Sequence, residues 1–95
     1  MRTTKDMDYI YTLDGQEILI EERQKTVRAE IISQYVACRK GKKMTQEELS
    51  KRAGISRPNV SRFESGNYNP SLEMMVRMAA ALDMSLDIKL KDYRA

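Results

Sequence analysis

A mainly α-helical domain of four to five helices, with a small β-hairpin at the N-terminus and a strand at the C-terminus, is the fold class this sequence predicts. Three observations carry that expectation. Val27, Ile31, Tyr35 and Cys38 recur at spacings of four, four and three, so they share one face of a helix. Between Thr45 and Gly66 two short segments abut, each opening on a capping residue and closing on a glycine. The two ends have strand character: Tyr9 to Ile20 is rich in aromatic and β-branched residues, and Ser85 to Lys91 alternates apolar with polar positions.

Taken in order, Tyr9 to Ile20 carries Asp14-Gly15, a dipeptide suited to a two-residue hairpin turn. A competing reading makes Asp14 a helix N-cap, with Glu17 completing a D-x-x-E box. From about Glu22 to Lys40 the pattern is helical, Ile32 and Arg39 flank its apolar stripe, and Gly41 stops it. Cys38 reads as a small buried hydrophobe on that face. Thr45 and Glu48 form a T-x-x-E capping box for the next helix, whose apolar pair is Leu49 and Ala53 and whose end is Gly54. Only Ile55 separates that glycine from Ser56, a good N-cap, and Pro58 is tolerated in a first turn whose amides have no helical partner. A second short helix therefore starts at a steep angle to the first, with Val60 and Phe63 inward and Gly66 as its close. Asn69 as N-cap and Pro70 at the first position open a further helix to about Leu82, with Leu72, Met75, Val76, Ala79 and Leu82 on its core side. The organisation expected is an N-terminal appendage at 1–21, a helical domain at 22–84 and a C-terminal strand at 85–95.

The chain has 95 residues, 41% hydrophobic and 33% charged, the range of a single globular domain. The start, Met1-Arg2-Thr3-Thr4-Lys5-Asp6, lacks the apolar stretch of a signal peptide, and no run is long enough to span a bilayer, so a cytoplasmic protein with no membrane partner is expected. A single cysteine excludes an internal disulfide. With no histidine, the commonest general base and the usual zinc and nucleophile partners are missing, which argues against an enzyme and for no metal or cofactor. Net charge is +3, and it is unevenly spread. Between Arg39 and Arg62 eight basic residues stand against two acidic ones, while both flanks are mildly negative. A basic middle of this kind is the electrostatic footprint of a polyanion partner.

Two short helices joined by a glycine turn, the second presenting polar side chains, have the layout of a helix-turn-helix. The run from Thr45 to Gly66, followed by Asn69-Pro70-Ser71-Leu72, resembles the XRE family of Cro and phage-repressor type over roughly Val27 to Leu82. The resemblance implies a lambda-repressor-like domain that binds double-stranded DNA. Helical geometry puts Arg57, Pro58, Ser61 and Arg62 opposite Val60 and Phe63, as candidate base readers. An arginine can donate twice to guanine, discriminating by about 1 to 3 kcal/mol. The family usually has a hydrogen-bonding residue where this chain has Pro58, so only apolar contact is available at that step. Backbone anchoring is expected from Gln46, Ser56, Asn59, Lys42, Lys43, Asn67 and Tyr68, with Arg39 and Lys40 nearby. Members of the family commonly pair a basic residue late in the first helix with a glutamate after the recognition helix. Arg39 and Glu64 match those positions, which makes Arg39 mainly structural.

One recognition helix reads only a few base pairs, so a homodimer on a palindromic operator is expected. Leu86, Ile88 and Leu90 are the candidate dimerisation residues, in an intersubunit sheet with or without the hairpin. The function expected is a dimeric transcriptional regulator that represses. The alternative is an antitoxin that binds a toxin protein and regulates its own operon, for which Met74, Met78 and Ala81, lying off the expected core stripe, would offer an adaptable surface.

Overall fold

The computed structural model describes residues 8–93. There the chain runs β1 (Tyr9–Tyr11), β2 (Glu17–Leu19), α1 (Ile20–Gly41), α2 (Gln46–Ala53), α3 (Arg57–Ser65) and α4 (Leu72–Ala81). The first seven residues of the expected appendage and the last two of the C-terminal segment lie outside the described residues.

The N-terminal segment is a hairpin, not a helix start: Tyr9 pairs with Leu19, Ile10 with Ile18 and Tyr11 with Glu17. Its turn is one residue longer than Asp14-Gly15 alone. The Thr12 N–H donates to Gln16 O at 2.8 Å and the Gly15 N–H to Thr12 O at 3.0 Å, leaving Leu13, Asp14 and Gly15 as a three-residue loop. Gly15 adopts φ +91° as the third of them, the arrangement in which a left-handed residue closes a tight turn as a bulge. Ile18 is the buried residue of the hairpin, both strands touch α1, and the Ile20 N–H bonds back to Asp8 O at 3.2 Å.

α1 ends at Gly41, but the left-handed residue that turns the chain is Lys43 at φ +56° rather than the glycine. Met44 N–H donates to Arg39 O at 3.1 Å and Lys43 N–H to Lys40 O at 2.9 Å, the paired bonds of a Schellman closure. At α2 the capping box forms in full, Thr45 accepting from the Glu48 N–H and Glu48 from the Thr45 N–H, and Gly54 closes the helix at φ +71°. Ser56 caps α3 by accepting from the Asn59 N–H, and Gly66 ends it at φ +86°. The N-cap of α4 is Ser71, accepting from Met74 N–H at 3.0 Å, in place of the expected Asn69. Asn69 is engaged elsewhere, its side-chain oxygen bonded by Gln24 and Arg28.

Phe63, Leu49, Met78, Leu82 and Val60 are fully enclosed and define the core where α2, α3 and α4 meet the second half of α1. Tyr35 lies edge-on to Phe63, ring centroids 5.2 Å apart, and its hydroxyl donates to Met75 O at 2.7 Å. Two expected stripes are rotated. On α1 the buried line is Ile32, Tyr35 and Arg39, with Ile31 and Cys38 half-buried and Val27 exposed. On α4 the buried residues are Met74, Met78, Ala79, Ala81 and Leu82, whereas Leu72 and Val76 are exposed. Branched residues suggest the wrong face because flexible, unbranched methionines fill the irregular interior better. This removes Met74, Met78 and Ala81 as a partner surface.

The expected C-terminal strand does not form. Residues 85–91 carry no β pairing; Leu86 packs on the core while Ile88 and Leu90 are exposed. A strand needs a neighbouring ladder, and among the described residues the sheet consists of β1 and β2 alone, with this segment on neither of its edges. Near its end the ring centroid of Tyr93 lies 5.6 Å from the Arg23 guanidinium carbon on α1.

Candidate nucleic-acid interface

The inner face of α3 is fixed by Val60 and Phe63, both at 0% exposure. On the opposite face Arg57, Pro58 and Arg62 are exposed and Ser61 is half-buried. The four candidate base readers thus share one outward surface over little more than a turn and a half of helix. Ser56 stands at its start, where its hydroxyl oxygen accepts the Asn59 N–H at 3.3 Å and keeps its own hydrogen to donate. Lys42 and Lys43 are exposed on the turn between α1 and α2, and Asn67 is exposed after α3. Asn59 and Tyr68 are half-buried, and the Arg62 guanidinium carbon sits 5.6 Å from the centre of the Tyr68 ring.

A buried ion pair ties this surface to the rest of the domain. Arg39 Nε donates to Glu64 Oε2 at 2.7 Å and Nη2 to Oε1 at 2.9 Å, with the two side chains 11% and 10% exposed. The remaining fork nitrogen, Nη1, donates to Met44 O at 2.8 Å. Arg39 is therefore occupied structurally, joining the end of α1, the α1–α2 turn and the last turn of α3. Gln46 is drawn into the same cluster, its Nε2 donating to Glu64 Oε1 at 2.9 Å. That commits one hydrogen of the amide expected to meet phosphate and leaves the other, together with the first-turn backbone amides of α2. Burial alone would raise the Glu64 carboxyl. The hydrogen bonds from Arg39 and Gln46, and the charges of Arg39 and Lys40, outweigh it and hold the group below the usual carboxylate range.

The basic middle of the chain divides by role. Arg52 Nε donates to Ala81 O at 2.9 Å, satisfying a carbonyl at the end of α4, so it joins Arg39 as a structural cation. Lys51 faces Glu47 in an exposed pair at 3.6 Å, worth little energetically. Two residues outside the motif support the interface from α1: Arg28 bonds Gly66 O and Asn69, and Gln24 bonds Asn69. Sequence spacing gives no sign of them, because their partners are 38 to 45 positions away. Among the described residues no group of Cys, Asp and Glu side chains is placed to hold a metal ion, and no helix is long and apolar enough to cross a membrane.

A family model described as Helix-turn-helix matches residues 37–89, more than half of the chain. An uncharacterised HTH-type transcriptional regulator of Haemophilus influenzae is 31% identical over 75 residues, covering 77% of this chain and 76% of that protein. Another, from Bacillus subtilis, is 39% identical over 54 residues, or 57% of this chain, and the match spans about half (47%) of its length. Antitoxin HigA1 of Mycobacterium tuberculosis is 36% identical over 61 residues, 64% of this chain and 41% of that protein. Among solved structures, a chain of a toxin-antitoxin module from Streptococcus pneumoniae superposes with a TM-score of 0.63 over 97% of this chain and 96% of its own, at 22% identity. That likeness speaks for the fold alone. The match to the family model, laid over a capped and glycine-closed pair of helices with its outward arginines, makes the chain a member of the XRE-type helix-turn-helix family.

Proposed function

We propose that the chain binds double-stranded DNA as a dimeric transcriptional regulator, a cytoplasmic repressor without enzymatic activity, with α3 in the major groove. The observation that carries the reading is the outward surface of α3, where Arg57, Pro58, Ser61 and Arg62 lie opposite a fully buried anchor. Arg57 and Arg62 read guanine edges, Ser61 bonds in either sense, and Pro58 touches a thymine methyl. Lys42, Lys43, Ser56, Asn59, Asn67, Tyr68 and the free hydrogen of Gln46 hold phosphates, with the start of α2 adding a positive dipole end. Two copies join through Leu86, Ile88 and Leu90, in a segment that carries no β pairing within a single chain. Binding-site selection on random DNA tests the reading. Wild type should select a two-fold symmetric site, and Arg57→Ala should relax preference at one symmetric pair of positions. An unchanged selected site in the variant counts against the assigned reading face.

A second reading, an antitoxin that also binds a toxin protein, has its own support in the named relative from Mycobacterium tuberculosis and in an apolar groove of about 500 Å³. The groove runs beside α1 past Val27, Ile31, Pro70 and Met75. Co-purification of the tagged chain with a small protein encoded beside it favours this role. Recovery of the chain alone, from cells expressing both genes, speaks against it.

A further inference from the structure

The loop after α3 is held from a distance. Arg28 Nε donates to Gly66 O at 3.1 Å, and the same guanidinium donates through Nη1 to Asn69 Oδ1. Gln24, one turn earlier on α1, donates to the same Asn69 oxygen at 3.0 Å. Both ends of the segment from Gly66 to Asn69 are therefore pinned to α1, and Tyr68 lies between the pins with its side chain half-buried. The Arg62 guanidinium carbon lies over that ring, 5.6 Å from its centroid. An exposed arginine otherwise samples many rotamers, and a fixed ring beneath it favours those that keep the cation over the ring face.

We propose that Tyr68, set in place by Arg28 and Gln24, is a positioning residue that orients Arg62 for base recognition, so that the base preference read by Arg62 depends on an aromatic ring held from α1. This rests on the reading of α3 as the recognition helix. It assigns Tyr68 a role through its ring, in addition to the phosphate bond of its hydroxyl. It also gives Arg28 and Gln24 an indirect part in specificity although neither lies in the helix-turn-helix.

The test is binding-site selection followed by affinity measurement on the selected site and on single-base variants, using the full chain carrying Arg62→Ala, Tyr68→Phe, Tyr68→Leu or Arg28→Met. Circular dichroism first establishes that each variant folds. Arg62→Ala identifies the symmetric pair of positions that Arg62 reads. Tyr68→Phe keeps the ring and should keep the wild-type base preference at those positions, while overall affinity falls by the phosphate bond of the lost hydroxyl. Tyr68→Leu should lose discrimination at those same positions by about two- to five-fold, the equilibrium equivalent of an exposed cation–π contact, and leave the others unchanged. Arg28→Met should produce the same positional loss. In the Arg62→Ala background, Tyr68→Leu should add no further loss of discrimination. If Tyr68→Phe relaxes the same positions as Tyr68→Leu, the hydroxyl is the working group and the positioning role is overturned. If Arg62→Ala relaxes one pair of positions while Tyr68→Leu relaxes none, positioning alone fails. If Arg62→Ala leaves the selected site unchanged, the recognition reading of Arg62 fails first and this inference with it.

Discussion

Truncating Glu64 to alanine removes the acceptor for three hydrogen bonds, two from Arg39 and one from Gln46, in a cluster whose ionic side chains are 11% and 10% exposed. The Arg39 guanidinium is then left enclosed with only Met44 O as a partner. Removing one member of a buried pair costs about 3 to 5 kcal/mol, because the remaining charge stays desolvated. Small domains have about 5 to 15 kcal/mol in total, and each kcal/mol moves the midpoint by about 4 to 8 °C at this size. Glu64→Ala should therefore lower Tm by about 12 °C or more, read by circular dichroism and by urea unfolding. Replacing both partners, as Arg39→Met with Glu64→Leu, should recover most of that loss, since a well-packed apolar pair of similar volume is often neutral. A loss under 1 kcal/mol in Glu64→Ala would refute the reasoning, as would a double variant no more stable than the single one. The pH dependence has a defined sign. The folded-state pKa of Glu64 lies below the ordinary glutamate value of 4.5, so its contribution is complete above that value and drains away as pH falls through the folded pKa. Glu48, held low by the Thr45 N–H it accepts, adds to the same acid limb. The isosteric Glu64→Gln should be less stable at neutral pH and should show a flatter acid limb than wild type.

Asp83, two residues beyond α4, is left-handed at φ +59° and its ion pair with Arg52, at 3.9 Å, is exposed and weak, so Asp83→Gly should raise stability by about 0.5 to 1 kcal/mol in urea unfolding. Gly54→Ala should do the opposite and lose about 1 kcal/mol or more, because the site has φ +71° and an added Cβ would stand 3.3 Å from Arg77 Nη1. Centred on Ile88, an antiparallel two-fold pairing of residues 85–91 sets Leu86 opposite Leu90 and Asp87 opposite Lys89 of the second copy. Sedimentation should accordingly show dimers weakened by Asp87→Lys or Lys89→Asp and restored in the chain carrying both, whereas equal dimerisation in all three would discard that register.

The elements of the fold that local chemistry specifies are legible in the sequence: the Thr45–Glu48 box, the Ser56 cap and the closures at Gly54 and Gly66 all follow from residues within four positions of one another. The outward face of α3 follows as well, since Val60 and Phe63 leave only one way to rotate so short a helix. What the sequence hides is set at longer range. The face of α4 depends on whether Met74 and Met78 or Leu72 and Val76 better fill a space bounded by three other helices, and hydrophobicity alone ranks them the wrong way. The cap at Ser71 wins over Asn69 because Asn69 is taken by two side chains more than forty residues earlier. The C-terminal strand fails for a related reason, in that period-two alternation states which face would be buried and says nothing about whether a partner strand is at hand. Lys43 rather than Gly41 turns the chain after α1 because a Schellman closure takes its left-handed residue where the flanking carbonyls require it, even when a glycine stands two positions away.

The charge that selects a polyanion partner is smaller than the sequence count suggests, and salt dependence measures the difference. Eight basic residues lie between Arg39 and Arg62, but Arg39 is spent on Glu64 and Met44, and Arg52 on Ala81. Arg57 and Arg62 are assigned to bases, which leaves Lys42 and Lys43 as the assigned phosphate cations of each copy, with Lys40 and Lys51 nearby. Each neutralised phosphate contributes about −0.9 to the slope of log K against log salt. Four lysines per dimer give a slope of about −3.6, and adding Lys40 and Lys51 brings it to about −7; engaging Arg39 and Arg52 as well would require about −11. The expected slope for the selected site therefore lies between about −3.6 and −7, and Lys43→Ala, which removes two charges from the dimer, should make it shallower by about 1.8 while weakening all sequences alike. A slope near −11 would mean that the buried guanidinium of Arg39 abandons Glu64 on binding, and the rigid support argued for α3 would then be absent from the complex.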